Sequence, residues 1–255
     1  LKISKIILYD EPTVPEIQIK ELQKFITNTF PVLVEIRDNF FKHNDKKRSE
    51  TIASVRIFDL KNPFQKHIPT IEEIKIESNN TDMSKNDLRI LYDGFEFCKK
   101  IIDFIPINEN NADILHIIFT NKLICTFDDG DFRYHARALT GSNPIIISTT
   151  GIIEAPAKPK KYYLELLTNF SDKKIDELKK KYRGEFLEYH DSRLFKIAEG
   201  YILQAIMYYE TGNPFCENSD CRLYNAHWQK DLFRTQIENN FFCDVHQRIL
   251  QGFKN

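Results

Sequence analysis

The stretch "NPFCENSDCRLYNAHW" (213–228), followed by "FFCDVH" (241–246), gathers three of the five cysteines and two of the seven histidines. Cys216 and Cys221 flank four polar residues, and Cys243 and His246 flank two. A tight turn aims such a pair at one ion, and three thiolates plus one imidazole make the closed donor set of tetrahedral structural zinc. A closed set leaves no position for water or substrate, so one ion here is expected to hold structure and not to react. His227 is the rival fourth ligand, six positions after Cys221. The 21 residues between Cys221 and Cys243 suit a helix with Trp228, Leu232, Phe233 and Ile237 as its apolar stripe. Cys98 in "FEFCKKII" and Cys125 in "LICTF" have apolar neighbours and read as core thiols.

Working outward, the long apolar run "RLFKIAEGYILQAIMYYETG" (193–212) predicts a helix closed by Gly212, with Pro214 just beyond. "DKKIDELKKKY" (172–182) predicts a second helix. Toward the N-terminus, "ISKIILYD" (3–10) predicts a strand, "PEIQIKELQKFITNTF" (15–30) an amphipathic helix and "PVLVEIRDNFF" (31–41) a strand. Residues 42–50 read as a charged loop, 51–60 as helix in preference to strand, 61–86 as an irregular excursion and 87–104 as helix. Strands are expected at 113–120, 123–128 and 145–152. The fold expected is therefore α+β: a mixed β-sheet with flanking helices and a C-terminal zinc-clamped lobe. Residues 1–157 would carry the sheet and 158–255 the helices and the zinc, as one compact unit.

Composition limits the function classes. Hydrophobic residues make up 42% and aromatic residues 13%, enough for a sizeable core. With 36 basic and 37 acidic residues, no whole-molecule field favours nucleic acid or an anionic membrane. The apolar runs are strand-sized, too short for a bilayer. The N-terminus meets Asp10 and Glu11 at once and reads as a first strand, not a signal peptide. The chain opens on Leu1, which points to a non-ATG start or a trimmed end. The compartment expected is the cytoplasm, where clustered cysteines bind metal in preference to pairing.

The stretch "AIMYYETGNPFCENSDCRL" with the later "CDVH" resembles archaemetzincins, zinc peptidases of the metzincin group. Their pattern is a helix with HExxHxxGxxxC, then a cysteine after four residues, then a methionine turn and a closing cysteine pair. Gly212, Cys216 and Cys221 fall in register, Leu223 stands at the methionine, Cys243 at the first closing cysteine and His246 at the second. "IIFTNKLICTFDD" and "PIIISTTGII" are similar to the strands before a metzincin active-site helix, and "ISTTGIIEAPAKPKKYY" with "PFC…DCRLYNAHWQ" is similar to an archaeal family labelled metallopeptidase. The resemblance implies a zincin-like fold and a zinc cofactor. It also places the three catalytic imidazoles on Ala205, Tyr209 and Phe215 and the general base on Ile206. A peptidase of this kind needs two imidazoles one turn apart, a neighbouring glutamate and a third ligand. The catalytic motif is degenerate while the structural one is largely kept, which implies a silent peptidase scaffold: a pseudoenzyme acting by binding.

Other clusters leave alternatives open. His135 in "DFRYHARAL", near Asp128, Asp129 and Asp131, and His190 with Asp191 in "EYHDSR" are candidate ligands or acid–base groups of a relocated hydrolytic site, with Glu154 as a further pocket member. The plainer reading is polar loop residues satisfying one another, with Asp191 capping the following helix. Lys158, Lys160 and Lys161, interleaved with Tyr162 and Tyr163, are candidate phosphate and base contacts of an RNA-associated protein. A peptide adding as a strand near "IIIST" is the partner expected of a silent cleft.

Overall fold

The computed structural model describes residues 1–41, 45–79, 89–141, 143–168 and 171–254. The strands are β1 (Lys5–Tyr9), β2 (Leu33–Arg37), β3 (Leu91–Asp93), β4 (Ile114–Thr120), β5 (Leu123–Asp128), β6 (Arg133–Arg137), β7 (Leu139–Thr140) and β8 (Ile145–Ser148). The helices are α1 (Ile19–Thr29), α2 (Lys46–Ala53), α3 (Ile71–Ser78), α4 (Gly94–Ile101), α5 (Thr149–Glu154), α6 (Lys160–Leu166), α7 (Asp172–Lys181), α8 (Leu194–Thr211), α9 (Gln229–Phe233) and α10 (Asp244–Gly252).

Five strands form the main sheet in the order β2-β1-β4-β8-β7, parallel except for β7. A second, smaller sheet has the order β3-β5-β6, with β3 parallel and β6 antiparallel to β5. The fold is thus α+β with mixed sheets, as the sequence led us to expect. The central strands are apolar at consecutive positions because both faces are covered. Ile6, Leu8, Ile117, Phe119, Ile145 and Ile147 point into the core shared with α1 and α8. Their alternates Ile7, Ile118 and Ile146 point the other way, into a cluster with Tyr92, Phe97 and Ile124. The two-residue period of a strand divides one hydrophobic run between two cores.

Several local expectations are corrected. Part of the charged loop is helix: Asp45 caps α2 by accepting from the Arg48 N–H at 3.0 Å, and the helix stops at Ala53 instead of filling 51–60. The excursion over 61–86 contains α3, opened by a capping box in which the Thr70 hydroxyl and the Glu73 carboxylate satisfy each other's backbone N–H. The helix expected over 87–104 begins as β3, whose last residue, Asp93, caps α4 through the N–H groups of Phe95 and Glu96. Residues 42–44 and 80–88, which those three expectations partly cover, lie outside the described residues. The strand expected over 145–152 ends at Ser148, whose hydroxyl accepts from Gly151 N–H and opens α5. A side chain at Gly151 would overlap the Arg137 carbonyl, so glycine allows that close approach.

Among the described residues, no helix is long and apolar enough to cross a membrane.

Candidate metal centre

The centre is built from three chain turns. Helix α8 ends on Gly212, at φ 79°, with its N–H bonded to the Tyr208 carbonyl at 2.7 Å. That left-handed residue is nearly free of strain only as glycine. The chain then folds into a closed loop: Cys216 N–H donates to the Leu223 carbonyl at 2.9 Å, and Cys221 N–H donates to the Asn218 carbonyl at 3.0 Å. Next, residue 221 bridges Phe241, and Arg222 N–H donates to the Phe241 carbonyl at 2.8 Å, drawing the last segment alongside. Cys243 sits at the N-cap of α10 and His246 on its first turn, so three-residue spacing puts both on one side.

These turns bring four donor atoms, Sγ of Cys216, Cys221 and Cys243 and a ring nitrogen of His246, within 4.8 Å of one another. The Cys216–Cys243 sulfur separation is 3.7 Å, Cys221 Sγ lies 3.8 Å from His246 Nδ1, and Cys243 Sγ lies 3.2 Å from it. Tetrahedral zinc with ordinary bond lengths sets sulfur–sulfur edges of about 3.8 Å and sulfur–nitrogen edges of about 3.5 Å. The donor set and its edges therefore fit zinc. Two backbone N–H groups already point at sulfur, Asn218 to Cys216 at 3.4 Å and Cys243 to Cys221 at 3.5 Å. Burial acts to raise the Cys243 thiol, but hydrogen bonds from the His246 backbone and ring and from the neighbouring thiols outweigh it and bring it down to about 6. His227, the rival ligand, is exposed outside this group; its carbonyl accepts from Ala157 N–H.

The segment between the cysteines differs from the single helix expected. Trp228 precedes it, half-exposed and bridged to Ala157, and the helix of α9 widens into a π-turn over Arg234–Asn239. Leu232 is buried, with Phe233 and Ile237 packed partly against the core. Trp228 leaves that stripe because its backbone is extended to pair with Ala157.

Beneath the loop lies a network that sequence reasoning missed. Arg222, next to Cys221 and buried, donates to the Glu199 carboxylate of α8 at 2.7 Å. The Gln236 side chain reaches the Arg222 carbonyl at 2.6 Å and accepts from Arg222 Nε at 3.3 Å. Gly200 leaves room for that amide; a methyl there would overlap it. Gly200→Ala is expected to cost about 1–3 kcal/mol by overpacking, read as a lower urea midpoint at unchanged slope. The sequence signal was the Glu199–Gly200 pair inside the longest apolar helix.

The positions on which the resemblance would place the catalytic groups are built differently. Ala205 and Ile206 are buried carbon within the main core. The Tyr209 phenol donates to the Ala112 carbonyl at 3.0 Å, and Phe215 stands at the surface.

The other candidates are dispersed. His135 lies on β6, not in a loop, 2.9 Å from Asp131, and with Asp128 makes the second group of three converging donors found among the described residues. His190 (φ 62°) is 3.0 Å from Glu16 instead. Asp191 does not cap α8 with its side chain; its carboxylate takes the Arg193 N–H at 2.9 Å and that residue's guanidinium. Glu154 accepts from the Tyr189 phenol at 3.2 Å and faces Arg89 and Lys158 at 3.8 and 3.6 Å. Burial first, then the Glu154 charge, pushes the Tyr189 phenol up to about 12. Lys160 lies over the Trp228 ring at 5.5 Å and Lys161 is exposed, but Tyr162 is buried against Tyr182 and Phe186 and has no free face for a base. The strand "IIIS" is closed to an added peptide, since β4 and β7 pair with its two edges.

No curated protein matches the chain. Among solved structures it is similar to a zinc-dependent peptidase from Methanocorpusculum labreanum (strain Z), at 12% identity and a TM-score of 0.49, over 96% of this chain and 99% of that one. It is also similar to archaemetzincin from Methanopyrus kandleri, at 11% identity and a TM-score of 0.40, over 99% of this chain and 96% of that one. The family model described as "Probable metallopeptidase family (DUF6775)" matches residues 2–253, and with nearly its whole length covered the chain belongs to that family.

Proposed function

We propose that this member of a metallopeptidase family is a zinc-binding protein whose one ion is structural and whose role is binding, not hydrolysis. The observation that carries it is a contrast within one segment. The donors of Cys216, Cys221, Cys243 and His246 converge at zinc spacing, while Ala205 and Ile206, one helix earlier, are buried carbon. When bound, zinc would cross-link the α8–α9 loop to α10 as a closed tetrahedral site. The chain's own residues prepare that link: Gly212 reverses the chain, the loop hydrogen bonds aim the thiols, and Arg222 ties the loop to Glu199. Residues 1–157 then serve as the sheet-bearing part and 158–255 as the clamped helical part of one unit.

The test is zinc content together with peptidase assay. Protein purified without added metal is expected to carry one zinc per chain and to cleave neither casein nor a mixed peptide library. Zinc-dependent turnover that disappears in His135→Ala or His190→Ala would sink the proposal. One observation favours a second reading, a hydrolase with relocated ligands: the converging donors of Asp128, Asp131 and His135. That reading requires a second zinc equivalent, retained in Cys216→Ser and lost in His135→Ala.

A further inference from the structure

A second group of converging donors stands apart from the clamp, on the hairpin between β5 and β6. The strand register pairs Asp128 with Arg133 and Thr126 with His135. Residues paired across antiparallel strands project to the same face, so Asp128 and His135 are diagonal neighbours on one face of the small sheet. The turn over 129–132 carries Asp131 back toward them. One donor atom each from Asp128, Asp131 and His135 then lies within 4.8 Å of the others. These donors are two carboxylates and one imidazole, with no sulfur, so their chemistry differs from that of the cysteine centre.

His135 Nε2 lies 2.9 Å from Asp131 Oδ1. With metal bonds of about 2.1 Å, neighbouring corners of an octahedron are about 3.0 Å apart. That pair already spans one such edge, and Asp128, exposed at the end of β5, can close on the same point by turning its side chain. Neighbours orient both carboxylates, as outer partners orient metal ligands. Gly130 N–H donates to Asp128 Oδ1 at 2.8 Å, and Arg133 Nε donates to Asp131 Oδ2 at 2.6 Å. The Arg133 charge offsets one carboxylate, and the group stays net negative. Mg2+ and Ca2+ take oxygen ligands, whereas imidazole with two carboxylates suits a first-row divalent transition cation. Three protein donors on a solvent-facing hairpin leave the rest of an octahedron to water. We propose that Asp128, Asp131 and His135 form an exchangeable octahedral site for a divalent transition cation of the Mn2+ class. The site needs neither the structural zinc nor any hydrolysis. Being exposed, it gives up its ion on dialysis, which agrees with one zinc per chain in protein purified without added metal.

The probe is Mn2+ added to the protein as purified. It binds more weakly than zinc at any given site, so it leaves zinc on the thiolates. Binding is read as loss of the sharp paramagnetic resonance signal of free Mn2+, with zinc content measured alongside. The native protein is expected to take up about one Mn2+ per chain and to keep it against about a tenfold excess of Mg2+. His135→Gln and Asp131→Asn are each expected to weaken Mn2+ about tenfold or more. Asp129→Asn, which removes a neighbouring carboxylate outside the group, is expected to bind as the native protein does. Unchanged circular dichroism and zinc content separate lost binding from lost folding. A variant that fails that check is replaced by Asp128→Asn, expected to weaken Mn2+ to a similar degree. No uptake at millimolar Mn2+, equal binding by His135→Gln and native protein, or displacement by the same excess of Mg2+ overturns the proposal.

Discussion

Cys221→Ser is expected to lose its zinc and to melt roughly 10 °C or more below the native protein. Structural zinc supplies about 10–16 kcal/mol of apparent binding free energy in small domains that do not fold without it. This chain has more to hold it, since Cys221 lies among Leu223, Leu232 and Leu250 in the main core. The clamp therefore adds to packing instead of replacing it. A loss of about 4 kcal/mol corresponds to roughly 10 °C for a domain of this size. Cys221 is the choice because it is fully buried, so a hydroxyl there is left without its ion and with little water. Cys125→Ser, also buried but distant from the donor group, is expected to keep its zinc. The measurement is a thermal melt with parallel metal analysis, and a tight chelator on native protein should lower the melt in the same direction. Equal melting of Cys221→Ser and native protein, with no chelator effect, would remove the clamp from the account.

Glu77→Ala is the second large effect. Glu77 of α3 accepts from Arg56 Nε at 2.8 Å, from Lys122 at 2.6 Å and from the Tyr92 phenol at 2.7 Å, and all four residues are buried. A buried carboxylate between two cations adds little over a well-packed apolar set, but removing it alone takes the shared anion from both cations and leaves Arg56 only Glu73, 3.9 Å away. Breaking such a pair costs about 3–5 kcal/mol, a large share of the roughly 5–15 kcal/mol that holds a domain together. Burial acts to raise the Glu77 carboxyl, yet the Lys122 and Arg56 charges win and hold it below the ordinary value of 4.5. A carboxylate depressed on folding adds stability that is fully present above that ordinary value. The contribution is lost as pH falls through the lower folded value. The stability gap between native protein and Glu77→Gln, followed by urea denaturation, should accordingly stay level above about pH 5 and narrow below it. A gap that widened on acidification would contradict the assigned ion pairs.

Both effects lie on the path from sequence to packing, but they were not equally visible. The proposed clamp is local: each donor pair is close in sequence, so spacing alone paired Cys216 with Cys221 and Cys243 with His246, and the fold brings the four donors together. The same locality exposed α8, where 18 residues of near-continuous apolar sequence end on a glycine. It also exposed the strands of the main sheet, whose hydrophobic runs are long enough to cover two faces. The Thr70 and Glu73 capping box was equally local and was passed over because Asn and Pro residues around it suggested irregular chain.

Other features became visible only in three dimensions. His227 and His246 are both within reach by sequence count, and only the pairing of Trp228 with Ala157 turns the first away. Glu77, Arg56 and Lys122 come from three segments, and a charge has no period by which its distant partner is announced. "IIIS" reads as an open edge until β7, two residues long, closes it. What the sequence by itself determined was chemistry within a short length of chain: the donor pairs, the helix and strand caps and the hydrophobic periods. Tertiary structure decided which of those groups meet, because side-chain encounters between distant segments depend on how the sheets and helices pack, and no local spacing encodes that.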